Sequence, residues 1–522
     1  MERTGQEPME LLKEKIQKYI SKFDLIVFFA TFGLALLVHM YMFTHKFINF
    51  DDIRGLYSQS TYLIASGRFL MPTLTRLVGS FSSSWIHGIL GCIFLAMGSV
   101  FVIRIFKIKH YIPALLCSLC LVSFPTIASI YSYMFCAYQY LFALSITIVG
   151  AYLIRTEKIL PILIGAILIA LAMGCYQANY GMATTLLVLV LVFDICEGRF
   201  MEKPQSFVGV VLKYLAGLAL GMIFYFVMVK ISLLVTGTEL TTYQGISSMG
   251  KITVPQLFER IKQAYKAFFD FPKQQRLSIP FSYARFSKVA WISWGLDLLV
   301  IITAVIGKKI YKNWANFLYL FLLLAIIPLA ICIIYVMAGD SNVYDLMTYP
   351  LVMSVVMPAI LADRVKIKKY PKIAVSFTLI LLLCQFYFAY DFILATNRAY
   401  YLMDMTYENT YAYFVKMTTR IESFEGWNKD CKVALIGTAT SDAGVPAYEV
   451  TNMGGITTGN NALNIYTRLE YLELFINSKY QYVDKSMCNK IQSSEQYQSM
   501  PRYPAEGSIA MIDDILVVKL SD

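Results

Sequence analysis

Apolar stretches of membrane-spanning length recur along the chain, near residues 24–44, 84–103, 111–131, 135–154, 159–174, 176–196, 207–235, 289–306, 315–337, 347–362 and 373–394. A run of about 20 apolar residues lets a helix cross the hydrocarbon core, and a helix satisfies its own backbone polar groups there. Eleven such runs in 522 residues predict a mainly α, polytopic helical bundle. The fifth and tenth are short, suited to tilting, pairing or re-entry. With 57% hydrophobic residues, 15% charged residues and a mean hydropathy of +0.58, a soluble multidomain protein is excluded.

Lys and Arg in short connections stay on the cytoplasmic side during insertion, so their distribution predicts orientation. Every second connection is basic: Lys13, Lys15, Lys18 and Lys22 precede span one, and Arg104, Lys107 and Lys109 follow span two. Arg155 and Lys158, Arg199 and Lys203, Lys308 and Lys309, and the group from Arg364 to Lys372 continue the alternation. The expected N-terminus is therefore cytoplasmic, and the odd span count puts the C-terminal segment and the loop after span one on the outer side. The formal charge of +11 follows mostly from this pattern. Its spread over many short loops gives no case for nucleic acid as a partner; membrane lipids are the expected surroundings. No cleavable signal peptide is expected, because a charged, polar segment leads directly into a full-length span.

Two regions are expected, a transmembrane one over residues 1–394 with outer loops at 45–83 and 236–288, and a soluble extracytoplasmic α/β one over 395–522. Met1 to Lys22 has apolar residues at helical spacing and predicts a surface-lying helix. In the second outer loop Phe258, Ile261, Tyr265 and Phe268 alternate with Arg260, Lys262 and Lys266, predicting an amphipathic helix at the headgroups. After Leu394 a helix is predicted over 396–424, a strand over 432–437, a helix over 463–476 and a hairpin turning at Asp513-Asp514. Most cysteines lie in spans as apolar fillers. Cys431 and Cys488 fall in the soluble segment, where one disulfide between them is a candidate.

The sequence contains no Walker A loop, dinucleotide fingerprint, nucleophile elbow or Cys/His pair at metal spacing, so neither a cofactor nor a metal is expected. The unabsorbed chemistry lies in the first outer loop, where Asp51-Asp52 directly follows span one and Arg54 and Arg68 come soon after. Ionisable groups at the edge of hydrocarbon are costly, which makes them functional candidates. Such a set has the parts for transferring a group from a lipid phosphate to a hydroxyl. An Asp would take the proton of the attacking hydroxyl, and Arg54, Arg68, Lys230 or Arg285 would steady the departing phosphate. Tyr176, Gln177 and Asn179 suit sugar hydroxyls and equally an interfacial aromatic belt, while Asp340 and Asp345 suit, first, capping of the helix of span ten, and otherwise an acceptor hydroxyl or a cation. Capping is also open for Asp51 and Asp52, and snorkelling toward headgroups for the arginines.

The succession Asn49-Phe50-Asp51-Asp52, Tyr62, Gly67-Arg68-Phe69-Leu70 between spans one and two resembles the bacterial O-antigen-modifying glucosyltransferase II family. The likeness continues at Gly174-Cys175-Tyr176-Gln177-Ala178 and at Tyr503-Pro504 before the closing strand pair. It implies a membrane glycosyltransferase of the GT-C class, multi-pass in the bacterial cytoplasmic membrane. It also implies transfer of a hexose, expected to be glucose, from a polyprenyl-phosphate sugar to a surface glycan, with inversion. An acid of the first outer loop is then the expected base, either Asp51 or Asp52. A transporter or flippase of lipid-linked saccharides is the alternative reading, and a non-catalytic scaffold a third. The transporter predicts polar residues within spans, and Lys230 and Asp297 are the main examples.

Overall fold

The computed structural model describes residues 9–10, 17, 19–45, 50–55, 60–78, 83–241, 253–273, 283–338, 342–365, 371–439 and 468–522, with the backbone alone at 50, 54–55, 60–61 and 283–285. Its helices run in the order α1 Lys22–Thr44, α2 Phe50–Gly55, α3 Ser60–Ala65, α4 Met71–Val78, α5 Ser84–Phe106, α6 Tyr111–Ser123, α7 Pro125–Tyr131 and α8 Met134–Ile154. There follow α9 Ile159–Met173, α10 Tyr180–Cys196, α11 Gln205–Thr236, α12 Val254–Asp270, α13 Tyr283–Gly307, α14 Trp314–Ile331, α15 Ile334–Met337, α16 Met357–Ala362 and α17 Pro371–Glu422. The expected helix over Met1 to Lys22 falls mostly outside the described residues.

Among the described residues, eight helices are long and apolar enough to cross a membrane, or nine if the pair α6 and α7 is taken as one span bent by 45°. Ile159–Met173 and Tyr349–Ala362 are shorter apolar helices. These together account for the eleven apolar stretches in the sequence. The bend between α6 and α7 has a local cause. Pro125 occupies the first turn of α7, and a proline drives the residue before it out of the helical region, so Phe124 sits at φ −56°, ψ 131°.

The basic connections meet at one end of the bundle. The Arg104 guanidinium donates to both carboxylate oxygens of Asp24, at 3.0 and 2.9 Å, while Asp24 closes a capping box with Ser21 at the start of α1. Arg155 donates to the Ile105 carbonyl at 2.7 Å, Arg364 donates to the Phe106 carbonyl and pairs with Glu197 at 3.2 Å, and Lys213 reaches the carbonyls of Arg155 and Thr156. These side chains take up carbonyls that helix ends leave unpaired. The alternation of charge along the sequence is thus a real alternation of bundle ends.

Within the bundle several polar side chains are paired across helices. His39 Nε2 donates to the Val122 carbonyl at 2.8 Å, which leaves Nδ1 to accept from the Tyr400 hydroxyl at 2.7 Å. The Tyr41 hydroxyl donates to Asp404 at 2.7 Å, tying α1 to α17. After α11, α12 starts with a capping box between Thr253 and Gln256 and stacks Phe268 on Trp294 at 4.8 Å. Its Arg260 is turned into the protein rather than outward.

Helix α17 has 52 residues and runs without a break through residue 394. At 1.5 Å per residue it is about 78 Å long, more than twice the thickness of a hydrocarbon core. Its polar half carries a four-stranded sheet of order β2-β1-β4-β3, made of β1 Lys432–Ile436, β2 Gln481–Tyr482, β3 Ile509–Ile512 and β4 Ile515–Lys519. Strand β1 is parallel to β2 and β4, and β3 and β4 form the expected hairpin. Asp513 and Asp514 both have positive φ, 48° and 58°, as a type I′ turn requires. One face of the sheet, with Val433, Leu435 and Val518, packs on Phe414 and Met417 of α17, and the other, with Ala434 and Val517, on Ile491 and Tyr497. The Arg468 guanidinium donates to the carbonyls of Gly437 and Leu435 at the end of β1, both at 2.8 Å.

Cys431 and Cys488 are both free, against the disulfide considered from the sequence. Successive strand residues point to opposite faces, so Cys431 falls with Val433 on the α17 side. Its thiol turns back to the Gly426 carbonyl at 3.6 Å, whereas Cys488 packs with the cluster on the opposite face.

Candidate active site at the acidic end of the bundle

Helix α2 is held from two sides. Asp52 is 4% exposed, and its Oδ1 accepts from the Phe135 amide at 2.9 Å, in the first turn of α8. Tyr133, the N-cap residue of α8, supplies no side-chain cap of its own, so the carboxylate of a distant loop takes that role. The next residue, Ile53, is fully buried in the cluster formed by Tyr413, Phe414 and Met417 of α17 and by Val433 and Leu516 of the sheet. Asp51 is half-buried. The segment after α1 and the sheet therefore lie at the same end of the bundle, opposite the basic connections.

The segments Gly67–Leu70 and Gly174–Gln177, far apart in sequence, are joined here. Helix α3 ends in a Schellman motif, with Gly67 N donating to Ile64 O at 2.8 Å and Arg68 N to Leu63 O at 2.9 Å. Gly67 takes the left-handed position, φ +73°, and a Cβ there would lie 2.5 Å from Tyr225 Oη and 3.0 Å from Gln177 Nε2. Only glycine fits both the angle and the space. Gln177 Nε2 donates to the Ser66 carbonyl at 2.9 Å and to Tyr225 Oη at 3.0 Å. Leu70 N donates to the Gly174 carbonyl at 2.9 Å, and Phe69 rests against Gly174, where a side chain would collide with its ring.

This turn throws Arg68 inward. Its Nη1 donates to the Tyr140 hydroxyl at 3.0 Å, and the guanidinium lies over the rings of Tyr176 at 5.5 Å and Tyr140 at 5.8 Å. Those two rings are stacked on each other, 4.4 Å between centroids and 21° between planes. Arg68 Nε and Tyr176 Oη are both buried with no hydrogen-bond partner, and no carboxylate stands within ion-pair distance of Arg68 among the described residues. Two tyrosine faces give an arginine about 0.5–2 kcal/mol each. Removing a charge from water costs several kcal/mol. An anion is what the guanidinium lacks.

The acids and the arginine converge on one helix end. Phe135, where Asp52 is bound, and Tyr140, where Arg68 is bound, are separated by about 7.5 Å along α8. Cys136 between them lies in electrostatic range of Arg68, Asp52 and Asp51 together.

Of the other residues singled out from the sequence, Tyr176 and Gln177 belong to this group, Gln177 as a strut between Ser66 and Tyr225. Lys230 is exposed on α11, one residue beyond buried Val229, and joins no group among the described residues. The Asp345 carbonyl accepts from Thr126 Oγ1 at 3.0 Å, which seats its short helical turn on α7. The side chains of Arg54 and Arg285, and Asp340 as a whole, lie outside the described residues. Tyr140 was not singled out. In the sequence it is one of several aromatics at the start of a span, and the contact with Arg68 spans 72 positions.

A bundle of apolar helices carrying, at one end, acids and an arginine with no counter-ion among the described residues defines a membrane protein with a polar site at a membrane edge. The profile of the Glucosyl transferase GtrII family matches residues 40–357, more than half of the chain, including Asp51, Asp52, Arg68, Tyr140, Tyr176 and Gln177. The chain belongs to that family and is accordingly a membrane glucosyltransferase, which takes a sugar donor and a glycan acceptor. No curated protein and no solved structure gives a significant match.

Proposed function

We propose that the chain moves glucose from a polyprenyl-phosphate donor to a surface glycan, at the outer face of the bacterial cytoplasmic membrane and with inversion. Asp51 is the base that takes the proton from the attacking hydroxyl, and Arg68 receives the lipid phosphate as it leaves. The observation that carries this reading is Arg68, whose Nε is buried and which has no counter-ion among the described residues, set on the helix end that also holds the acids. An oxyanion that appears only as the bond breaks is stabilised best by a fixed, water-poor cation.

The two acids divide the work. Asp52 is buried and its Oδ1 accepts from the Phe135 amide, so it positions α2. Asp51 is the more accessible of the pair and sits one residue away. Substituting each by Asn in the full chain and measuring glucose transfer from labelled polyprenyl-phosphate glucose tests this. Loss of transfer in Asp51→Asn, with partial activity and lowered stability in Asp52→Asn, is expected. Full activity in Asp51→Asn would sink the assignment. Movement of the intact lipid-linked sugar across the membrane, without transfer, would favour the transporter reading instead.

A further inference from the structure

We infer that Tyr176 donates a hydrogen bond to the departing lipid phosphate beside Arg68, and that Tyr140 is the positioning residue that holds Arg68 for this contact. The inference rests on the polyprenyl-phosphate reading above and gives Tyr176 a different role from that of a sugar-hydroxyl partner.

The argument starts from what the open groups can do. A guanidinium has only N–H donors and accepts nothing. Arg68 uses Nη1 on Tyr140 and leaves Nε, which is buried, without a partner. Tyr176 is 2% exposed, and its hydroxyl is likewise buried and unpartnered. A buried phenol ordinarily finds a hydrogen-bond partner, so this position is unusual. Both groups can donate, one of them charged, and the Arg68 guanidinium lies 5.5 Å from the centre of the Tyr176 ring. A neutral sugar hydroxyl could accept one of these bonds, but it would leave the cation uncompensated. A phosphate oxygen can accept both and cancels the charge.

Tyr140 has a different place. Its hydroxyl accepts from Arg68, and its ring stacks on Tyr176, so it fixes both donors in relation to each other. Its neighbour Asn179 donates to the Tyr140 carbonyl at 3.4 Å, which anchors the start of α10 to the same turn of α8.

The step balances without a further reactant. The acceptor oxygen forms a bond to the anomeric carbon, and its proton passes to Asp51. The bond from the anomeric carbon to the phosphate oxygen breaks, and its electron pair stays on that oxygen. Arg68 and Tyr176 keep their protons and hydrogen-bond to the charge that develops.

The test uses the full chain in lipid nanodiscs, with Tyr176→Phe and Tyr140→Phe, and two readouts. The first is binding of labelled polyprenyl monophosphate carrying no sugar. The second is transfer from polyprenyl-phosphate glucose. In Tyr176→Phe, affinity for the sugar-free lipid should fall roughly tenfold, as expected for loss of one charge-assisted hydrogen bond. The kcat should fall on the order of 100-fold, as for loss of an oxyanion donor, with the acceptor KM unchanged. In Tyr140→Phe both readouts should weaken together, while Tyr176→Phe keeps the wild-type resistance to denaturation. If Tyr176→Phe binds the sugar-free lipid as tightly as wild type, the Tyr176 assignment is overturned, whatever happens to transfer. If the wild-type chain itself does not bind polyprenyl monophosphate, the donor reading falls instead.

Discussion

Replacing Gly67 by alanine probes the joint between the two segments that frame Arg68. The left-handed backbone at φ +73° costs a residue with a Cβ about 1–2 kcal/mol. The new methyl would also stand 2.5 Å from Tyr225 Oη, so the phenol must move and give up its bond to Gln177, a further loss of about 1 kcal/mol. The expected destabilisation is about 2–3 kcal/mol, accompanied by reduced transfer because Arg68 is the next residue. Adding Tyr225→Phe separates the two causes. Without its hydroxyl the ring's nearest atom to the methyl is Cζ at 3.7 Å, an ordinary contact. The strain of the backbone and the 3.0 Å approach to Gln177 Nε2 would remain, but the collision with the phenol would not. The double variant should therefore be about 1 kcal/mol more stable than the sum of the single effects predicts, a coupling a double-mutant cycle can measure. Unfolding in mixed SDS micelles and glucose transfer are the two assays. A neutral Gly67→Ala, or strict additivity with Tyr225→Phe, would refute the reasoning.

Ile53→Ala should cost about 2–4 kcal/mol, because the side chain is fully buried among α17 and sheet residues, and should lower transfer by loosening α2; the same SDS titration measures the loss. At the opposite end of the bundle, Arg104→Ala leaves the Asp24 carboxylate without its bidentate partner and should reduce stability by roughly 1–3 kcal/mol, with donor affinity unchanged in the lipid-binding assay. Arg468→Ala removes two hydrogen bonds at the end of β1, and a drop of about 2–3 kcal/mol is expected in thermal denaturation. Cys431 and Cys488 should both react with a maleimide in the unfolded, unreduced chain, and identical gel mobility with and without reductant would agree with two free thiols.

The bundle was legible in the sequence because hydropathy reports burial in lipid directly, and the Lys and Arg alternation reports bundle ends. The hairpin at Asp513-Asp514 was legible because two adjacent residues that tolerate positive φ separate two apolar runs. The composition change at residue 394 reports a change of surroundings along one rod, because α17 keeps its helical hydrogen bonds whether its side chains meet lipid or water. Part of the site was readable too: Gly67-Arg68 and Tyr176-Gln177 stand out as motifs, and the structure joins them. The partners that give them meaning were not readable. Asp52 meets Phe135 across 83 positions and Arg68 meets Tyr140 across 72, and neither contact leaves a periodic trace in the chain. Asp52 shows the limit well: helix capping and catalysis were both open from the sequence, and the capped helix belongs to another span.

The cap that Asp52 places on α8 bears on how the site comes into being. A membrane chain is made and inserted from its N-terminus, so α1, the acidic loop and α5 are in the bilayer before α8 leaves the ribosome. Until then the Asp52 carboxylate has no Phe135 amide to bind and Arg68 has no Tyr140 hydroxyl to meet. The arrival of one helix supplies both contacts at once. Docking of α8 is thus one step in assembling the polar end, taken before Gln177, Tyr225 and α17 arrive, and a nascent chain stopped before Met134 would carry the acids and the arginine without the Phe135 amide and Tyr140 hydroxyl that hold them.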